Sequence, residues 1–283
     1  MRIHHLNCGT DCPLGGRLFD GVSDGATGHL VCHCLLIETD RHGLVLVDTG
    51  YGLQDVAHPH APRPSRITRT MRAMLNIQLR EEDTACRQIE RLGFSRADVR
   101  HIVLTHLDFD HAGGLEDFPQ ASIHLMEAEY SAARAPRRGL VHRNRYRPAQ
   151  WQALDRWRRY GAAGEAWFGF DAVRDMDGLP PEILLVPLPG HSWGHAGVAI
   201  YKSGEWLLHA GDAYFYRGEM REATRQCPPG LRAYQTMMEV NRRARLENQQ
   251  RLRHLSIAHR HDVRILCAHD RTEFDKAIAG RLL

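Results

Sequence analysis

Four side chains able to hold a metal ion fall within six consecutive positions of this chain, directly after the apolar run 102–104. They are His106, Asp108, Asp110 and His111, and a pair of glycines follows shortly after. Imidazole nitrogen and carboxylate oxygen together suit zinc, iron, manganese or cobalt. Ligands that follow a buried strand lie at the edge of a sheet, where a catalytic metal can keep an open coordination position. Polar loops also gather such residues without a metal, but the density of ligands here favours a metal site.

Composition excludes several classes of protein. The chain has 283 residues, of which 43% are hydrophobic and 25% charged, and these values are typical of a globular protein. No apolar run approaches the roughly 18 residues that a membrane span needs, so no membrane partner is expected. The first residues lack the apolar segment of a signal peptide, which makes the cytoplasm the expected compartment. A net charge of +3 does not indicate nucleic-acid binding.

Positive charge is concentrated between Arg134 and Arg159, where two tryptophans interleave with arginines. We favour a solvated helix face and loop, because charge runs usually face solvent. The alternative is a patch that binds an anionic ligand or phosphates. The arginines are Arg134, Arg137, Arg138, Arg143, Arg145, Arg147, Arg156, Arg158 and Arg159.

Hydrophobic patterning predicts mixed strands and helices. Strands are expected at 2–6, 30–38, 44–47, 101–105, 122–126, 183–186, 197–201, 206–209 and 263–267. Helices are expected at 65–80, 81–92, 148–160, 231–247 and 272–278. The segments 57–64 and 161–181 are interpreted as exposed loops. Hairpins within each half of this pattern predict an α/β sandwich, and the absence of a linker predicts one domain over 1–283.

Three later segments place further candidate ligands after strand-like runs. His191 follows a Pro-Gly turn, with His195 as a neighbouring or core histidine. Asp212 ends the run that begins at 206, and one carboxylate can bind two cations through its two oxygens. His269 ends the last strand-like run. Each signal is weak alone, but every candidate lies at the carboxyl end of a strand, so the strands would deliver them to one edge.

With these motifs in this order, the chain resembles the metallo-β-lactamase superfamily over most of its length. The matching segments are 47–50 (VDTG), 105–114 (THLDFDHAGG), 189–195 (PGHSWGH), 211–212 (GD) and 268–270 (AHD). The layout is most similar to the N-acyl-homoserine-lactone lactonases and pyridoxolactonases. The resemblance implies an αββα four-layer sandwich with a dinuclear metal centre at one edge and a helical, arginine-rich insertion around 127–170.

The resemblance also implies roles for the candidate ligands. The first metal would be held by His106, Asp108 and His191, the second by Asp110, His111 and His269, and Asp212 would bridge them. The family usually has histidine where this chain has Asp108. A carboxylate is a harder ligand, so iron or manganese becomes compatible with the site beside zinc, the metal expected first.

A second departure concerns the substrate. The lactonases place a substrate-contacting tyrosine three residues after the bridging aspartate, where this chain has Phe215. We therefore expect the neighbouring Tyr214 or Tyr216 to donate a hydrogen bond to the substrate carbonyl. The implied reaction is attack of a metal-bound hydroxide on a lactone or another carboxylic ester, with Asp110 passing a proton to the leaving alkoxide.

The predicted cover over the site is apolar, since it contains Met71, Met74, Leu75 and Phe215. A small and partly apolar substrate is therefore expected. The sequence leaves homodimer formation open.

Two alternatives remain. Arg143, Arg145 and Arg147 could hold phosphate in a phosphodiester or phosphotriester hydrolase. The chain could instead be a non-catalytic metal-bound sensor on the same fold. Hydrolysis of β-lactams is disfavoured by Asp108.

Overall fold

The computed structural model describes residues 1–59, 65–136, 139–220 and 224–281. Within these ranges the strands are β1 (Arg2–Asp11), β2 (Leu30–Glu38), β3 (Leu44–Val47), β4 (Ile77–Gln78), β5 (Val99–Val103), β6 (Ser122–Met126), β7 (Trp157–Tyr160), β8 (Glu165–Trp167), β9 (Phe170–Asp175), β10 (Ile183–Pro187), β11 (Ala196–Lys202), β12 (Glu205–His209) and β13 (Val263–Leu266). The α-helices are α1 (Arg17–Asp20), α2 (Leu53–Ala57), α3 (Arg69–Leu75), α4 (Ala85–Arg91), α5 (Glu127–Arg134), α6 (Gly139–Arg145), α7 (Pro229–Met238), α8 (Arg242–Ala258) and α9 (Arg271–Ile278). No helix in these ranges is both long enough and apolar enough to cross a bilayer.

The strands form two mixed sheets. The first has the order β4-β1-β2-β3-β5-β6-β7, and the second has the order β13-β12-β11-β10-β9-β8. Strands β3, β5, β6 and β7 are parallel neighbours, as are β12 and β13. The remaining neighbours are antiparallel.

Alternation along β3 shows how the layers pack. Leu44 and Leu46 point to a cluster that contains Ile89 of α4, whereas Val45 and Val47 point to a cluster shared with β10 and β11 of the other sheet. A strand buried on both faces must be apolar at every position, as β3 is. A third cluster lies between the second sheet and α8. The layers are therefore helix, sheet, sheet and helix, which confirms the predicted αββα sandwich.

Most of the predicted strands are present, but the segment 148–181 was predicted wrongly. The expected helix 148–160 is a 3-10 turn at Pro148–Gln150 followed by β7, which pairs in parallel with β6. The expected loop 161–181 contains β8 and β9. Pairing with strands distant in sequence overrides the helix-start signal of Pro148 here. The arginine-rich insertion around 127–170 is consequently part helix and part strand.

Two other predicted helices have different bounds. The helix expected at 65–80 is limited to α3, because Asn76 adopts a left-handed conformation with φ 48° and β4 follows. The helix expected at 231–247 is two helices, and the side chain of Asn241 accepts a hydrogen bond from Ala244 N at the start of α8.

Candidate metal centre

The candidate ligands lie on loops at the carboxyl ends of β5, β10, β12 and β13. Backbone hydrogen bonds hold these loops together, from Ala196 N to Thr105 O at 2.9 Å and from Ala268 N to Gly211 O at 3.1 Å. Gly211 has φ +52°, and a Cβ there would lie 2.7 Å from Nε2 of His195. The turn after β12 therefore requires glycine.

One group of four side chains converges between the loops after β5, β10 and β12. Nε2 of His191 lies 3.1 Å from Oδ2 of Asp108 and 3.3 Å from Oδ2 of Asp212. Nε2 of His106 lies 3.5 Å from Oδ2 of Asp108 and 3.7 Å from Oδ2 of Asp212. All four residues are buried. We call this group site one.

A second group surrounds the other oxygen of Asp212. Its Oδ1 lies 3.3 Å from Nε2 of His111 and 3.1 Å from Nε2 of His269. Oδ2 of Asp110 lies 3.8 Å and 3.7 Å from the same two nitrogens. We call this group site two. The two oxygens of Asp212 thus face different sites, and the structure brings all seven sequence-predicted ligands together.

The free atoms of these groups fit a metal ion. Nε2 of His106, Nε2 of His111 and Oδ1 of Asp212 are buried and have no hydrogen-bond partner among the described residues. Buried polar atoms are rarely left without a partner, so such atoms need an explanation. Ligands that hold a tetrahedral ion at about 2.1 Å lie about 3.4 Å from one another. The observed separations bracket that value.

Surrounding groups fix the orientation of the imidazoles. Nδ1 of His111 lies 2.9 Å from Oδ2 of Asp48, and Nδ1 of His269 lies 2.8 Å from the carbonyl oxygen of Val31. With Nδ1–H donated to these acceptors, each Nε2 lone pair points into the site. Asp48 also accepts from the backbone N–H and hydroxyl of Thr105, which ties the loop after β3 to the ligand loop.

Arg145 is the least expected member of the centre. It is fully buried, and its Nε lies 2.9 Å from Oδ1 of Asp108, without the alignment of a hydrogen bond. Its Nη1 donates to the carbonyl oxygen of His191 at 2.7 Å, and its Nη2 lies 3.0 Å from Nε2 of the same residue. Burial raises the pKa of Asp108, but Arg145 and then His106 outweigh burial and hold it well below its usual range.

Glu129 of α5 joins the two loops that supply site one. Its Oε1 accepts from Leu107 N at 3.0 Å, and its Oε2 accepts from the Ser192 hydroxyl at 2.6 Å and from Gly194 N at 3.0 Å. The carboxylate is completely buried. It therefore sets the spacing between His106 and His191.

The carboxylates of the centre attract positive charge. Burial lowers the pKa of His269, but Asp212 and then Asp110 outweigh burial and raise it to about 9. Burial likewise lowers the pKa of His111, which nevertheless lies well above its usual value because of Asp212, Asp110 and Asp48. Protonated imidazoles would balance the carboxylates in the absence of a cation. The charge distribution therefore favours a divalent ion.

The structure does not bring the hydroxyl of Tyr214 to the ligands. That hydroxyl donates to Oε2 of Glu273 at 2.9 Å, inside a core cluster beside α8. The ring of Tyr216 packs against Gly21, and the guanidinium of Arg217 lies 4.4 Å above it. These positions do not support the catalytic roles expected for Tyr214 and Tyr216.

Phe215, between the two tyrosines, faces the centre. Its ring stacks on the imidazole of His269, with centroids 5.0 Å apart and planes at 18°. Tyr234 of α7 meets this ring edge-on at 6.0 Å. Burial, then Asp110 and Asp108, place the pKa of Tyr234 well above its usual value. Tyr234 is therefore a phenol beside Phe215 that is influenced by the ligand carboxylates, and no sequence motif indicates it.

The arginines of the phosphate-binding alternative do not form an exposed patch. Arg145 and Arg147 are buried, and Arg147 donates to the carbonyl oxygens of Ser65 and Arg143. Arg143 itself is exposed. Two of the three guanidinium groups thus bind the chain itself, which weakens the alternative. Arg137 and Arg138 lie outside the described residues.

Two further groups near site two were not predicted. Ligand atoms of Cys32, Asp110 and His269 lie within 4.8 Å of one another. Asp11 is buried and accepts from the Tyr51 hydroxyl at 2.9 Å, and burial, followed by Asp110, raises its pKa to about 7. Cys32 is buried in β2, and its proximity to the ligands has no local signal in the sequence.

A four-layer sandwich that gathers buried histidines and aspartates at one edge defines a metal-dependent hydrolase. Residues 27–248 match the family described as the metallo-beta-lactamase superfamily, and the chain belongs to that superfamily.

Individual relatives agree. A protein described as a probable metallo-hydrolase of Mycobacterium tuberculosis is 42% identical over 271 residues, which cover 95% of this chain and 80% of the relative. An N-acyl homoserine lactonase of Bacillus cereus is 33% identical over 211 residues, which cover 71% of this chain and 74% of the lactonase.

Solved structures show the same fold. An N-acyl homoserine lactone hydrolase, with the product N-hexanoyl-L-homoserine bound at its catalytic metal centre, superposes with a TM-score of 0.69. The superposition covers 97% of this chain and 95% of that one, at 21% sequence identity.

Proposed function

We propose that the protein hydrolyses a lactone or another carboxylic ester with the help of two divalent metal ions. The observation that carries this proposal is Asp212, whose Oδ2 belongs to site one and whose Oδ1 belongs to site two. Zinc is the first candidate, and the Asp108 carboxylate is compatible with iron or manganese. The relatives named as N-acyl homoserine lactonases support lactones as the first substrate class.

Ions held in the two sites would supply an activated water and would polarise the substrate carbonyl. The residues of the chain orient and protonate the substrate. Asp110 is the most exposed of the seven ligands, at 7%, and can pass a proton to a leaving alkoxide. We assign to Tyr234 the hydrogen bond to the carbonyl that the sequence had suggested for Tyr214 or Tyr216.

The walls around Tyr234 favour an apolar part in the substrate. Met71 and Leu75 are buried in an apolar cluster against which Met74 and Tyr234 pack, and Tyr234 also packs against the cluster of Phe215. A small molecule with a reactive carbonyl and an apolar chain fits these surroundings. Action in the cytoplasm and formation of a homodimer stay predictions.

The test combines metal analysis with a substrate panel. Protein purified without added metal is analysed for bound elements, stripped with a chelator, and reloaded with zinc, manganese or iron. Each form is then assayed on acyl lactones of different chain length, on simple esters and on a phosphodiester. We expect lactone or ester turnover that chelation abolishes and metal restores.

Two buried aspartates provide a matched pair of variants. Asp212→Asn should lose metal and activity, because a neutral amide cannot bridge two cations. Asp117→Asn should retain both, since the Asp117 carboxylate accepts from Leu53 N and belongs to neither site. Metal-loaded protein that turns over no lactone or ester contradicts the proposal. Turnover of the phosphodiester alone would favour the phosphoesterase, and bound metal without any turnover would favour the sensor.

A further inference from the structure

Asp108 and Arg145 form a buried pair at site one. Their side chains are 3% and 1% exposed, and Nε of Arg145 lies 2.9 Å from Oδ1 of Asp108. The other oxygen of Asp108 faces His191 and His106 in site one. The carboxylate therefore divides its two oxygens between a guanidinium and the position of a metal.

The pair is placed by the backbone as well as by charge. Asp108 and Tyr146 form an isolated antiparallel bridge, so the residue before Tyr146 is held beside the ligand loop. Nη1 of Arg145 is fixed by its hydrogen bond to the carbonyl oxygen of His191. The guanidinium thus contacts two of the site-one ligands and is part of the folded framework.

Charge balance explains why an arginine accompanies this aspartate. A histidine ligand is neutral, whereas Asp108 contributes one negative charge and Arg145 one positive charge. The two residues together have the net charge of a single histidine. A buried carboxylate without a partner would be costly, and a buried guanidinium without one equally so.

The same arginine also competes for a ligand atom. A guanidinium has only donors, so Nη2 of Arg145, 3.0 Å from Nε2 of His191, occupies the lone pair of that nitrogen in the tautomer protonated at Nδ1, which is the tautomer that a metal also requires. A metal in site one needs the same lone pair. Site two contains no comparable contact with a cationic side chain among the described residues. Its histidines instead keep their Nε2 atoms toward Asp110 and Asp212.

We infer that Arg145 makes site one the weaker and exchangeable half of the centre. The guanidinium of Arg145 and a metal ion in site one exclude each other from Nε2 of His191. Arg145 is thus a positioning residue for metal, and site two fills before site one. The inference rests on the proposed metal centre, although it concerns the order of loading and not the substrate.

Cobalt binding tests the inference without reference to activity. Chelated protein is titrated with Co²⁺, and both the visible absorption of the bound ion and competition with a chelating dye are recorded. We expect the wild type to bind one ion tightly and a second more weakly. In Arg145→Gln the second dissociation constant should fall by about 10- to 100-fold, the size of the effect that groups supporting a metal ligand have, with the opposite sign because Arg145 opposes the metal.

Arg147→Gln is the matched control, because Arg147 is also a buried arginine but donates to backbone oxygens away from the ligands. It should leave both dissociation constants unchanged. Asp108→His should weaken site one, since Arg145 would then be an unpaired cation beside the metal. The double variant with both Asp108→His and Arg145→Gln should restore tight binding of the second ion.

If Arg145→Gln does not fold, Arg145→Lys gives the second test. Lysine keeps the charge but loses the planar fork, so the contacts to Asp108 and to His191 cannot all be kept. The second ion should then bind more tightly than in the wild type. The inference is wrong if the wild type binds two ions with equal affinity, or if Arg145→Gln leaves the second dissociation constant unchanged. Either result leaves the proposed function intact. Absence of metal binding in every form overturns the proposed function as well.

Discussion

Oδ2 of Asp48 lies 2.9 Å from Nδ1 of His111, so a carboxylate outside the ligand set fixes the imidazole of site two. Asp48 has φ 55°, a left-handed conformation that asparagine tolerates well. Asp48→Asn should therefore keep the backbone while it removes the charge that orients His111. We expect metal affinity at site two to fall by about 10- to 100-fold, measured by competition with a chelating dye.

The experiment must separate the general effect of losing a buried carboxylate from the specific effect on metal affinity at site two. Asp117→Asn serves as the control, because Asp117 is a buried carboxylate that accepts from Leu53 N and contacts no ligand. An Asp48→Asn variant that binds metal as tightly as the control would show that Asp48 holds only the loop.

Tyr234 and Tyr214 should respond differently to loss of the hydroxyl. Tyr234→Phe should lower kcat on lactones with little change in stability, because this phenol packs against Phe215 beside His269 and is assigned the hydrogen bond to the substrate carbonyl. Tyr214→Phe should leave kcat unchanged but destabilise the fold by about 1–3 kcal/mol, since it removes a buried hydrogen bond to Glu273. Steady-state kinetics and urea unfolding measure the two effects. The reverse pattern would return the catalytic role to Tyr214.

The metal ligands could be predicted because each depends on a local pattern. A strand that is apolar at every position, such as β3 or β10, predicts its own burial, and the residue after its end is delivered to the sheet edge. His191 follows β10 in this way, His106 and His269 follow the largely apolar strands β5 and β13, and the order of the three histidines along the chain completed the prediction.

Features that depend on distant contacts could not be predicted. The segment 148–160 begins with proline, as helices often do, but its end forms β7, and only the pairing with β6 makes it a strand. Tyr234 reaches the centre from α7, with no motif near it. Arg145 was one of nine similar arginines. The sequence did contain a physical reason to look for it, because an aspartate buried at a ligand position requires a counter-ion.

Gly194 should tolerate no side chain. A Cβ at this position would lie 2.0 Å from the backbone nitrogen of Glu129 and 2.6 Å from its Cα, so either α5 or the His191 loop would have to move. Gly194→Ala should destabilise the protein by about 1–3 kcal/mol or more. It should also weaken metal binding at site one, because Glu129 spaces the two loops that supply it.

The control is Gly161→Ala, where nothing lies within 4 Å of an added Cβ. Denaturant unfolding and cobalt titration of both variants measure the two effects. A Gly194→Ala protein with the stability of the control would mean that α5 and the loop can separate without cost.

Acid should destabilise the protein through a histidine pair away from the centre. Nε2 of His124 lies 2.9 Å from Nδ1 of His101, and its Nδ1 lies 2.7 Å from the hydroxyl of Tyr160. Burial, then His101 and Arg158, lower the pKa of His124 from 6.5 to about 3. Because the folded pKa is below the unfolded value, the unfolded chain binds the proton first. Stability is thus fully present above about pH 6.5 and falls as the pH decreases toward 3.

His124→Asn removes this titration. Between pH 7 and pH 5 the free energy of unfolding of the wild type should fall by about 2 kcal/mol more than that of the variant. The measurement is urea unfolding at several pH values in the presence of chelator, so that loss of metal from the ligand histidines does not contribute. His261→Asn, which removes an exposed imidazole, is the control. Equal pH dependence in the wild type and His124→Asn would contradict the prediction, because it would show that burial of His124 does not oppose its protonation.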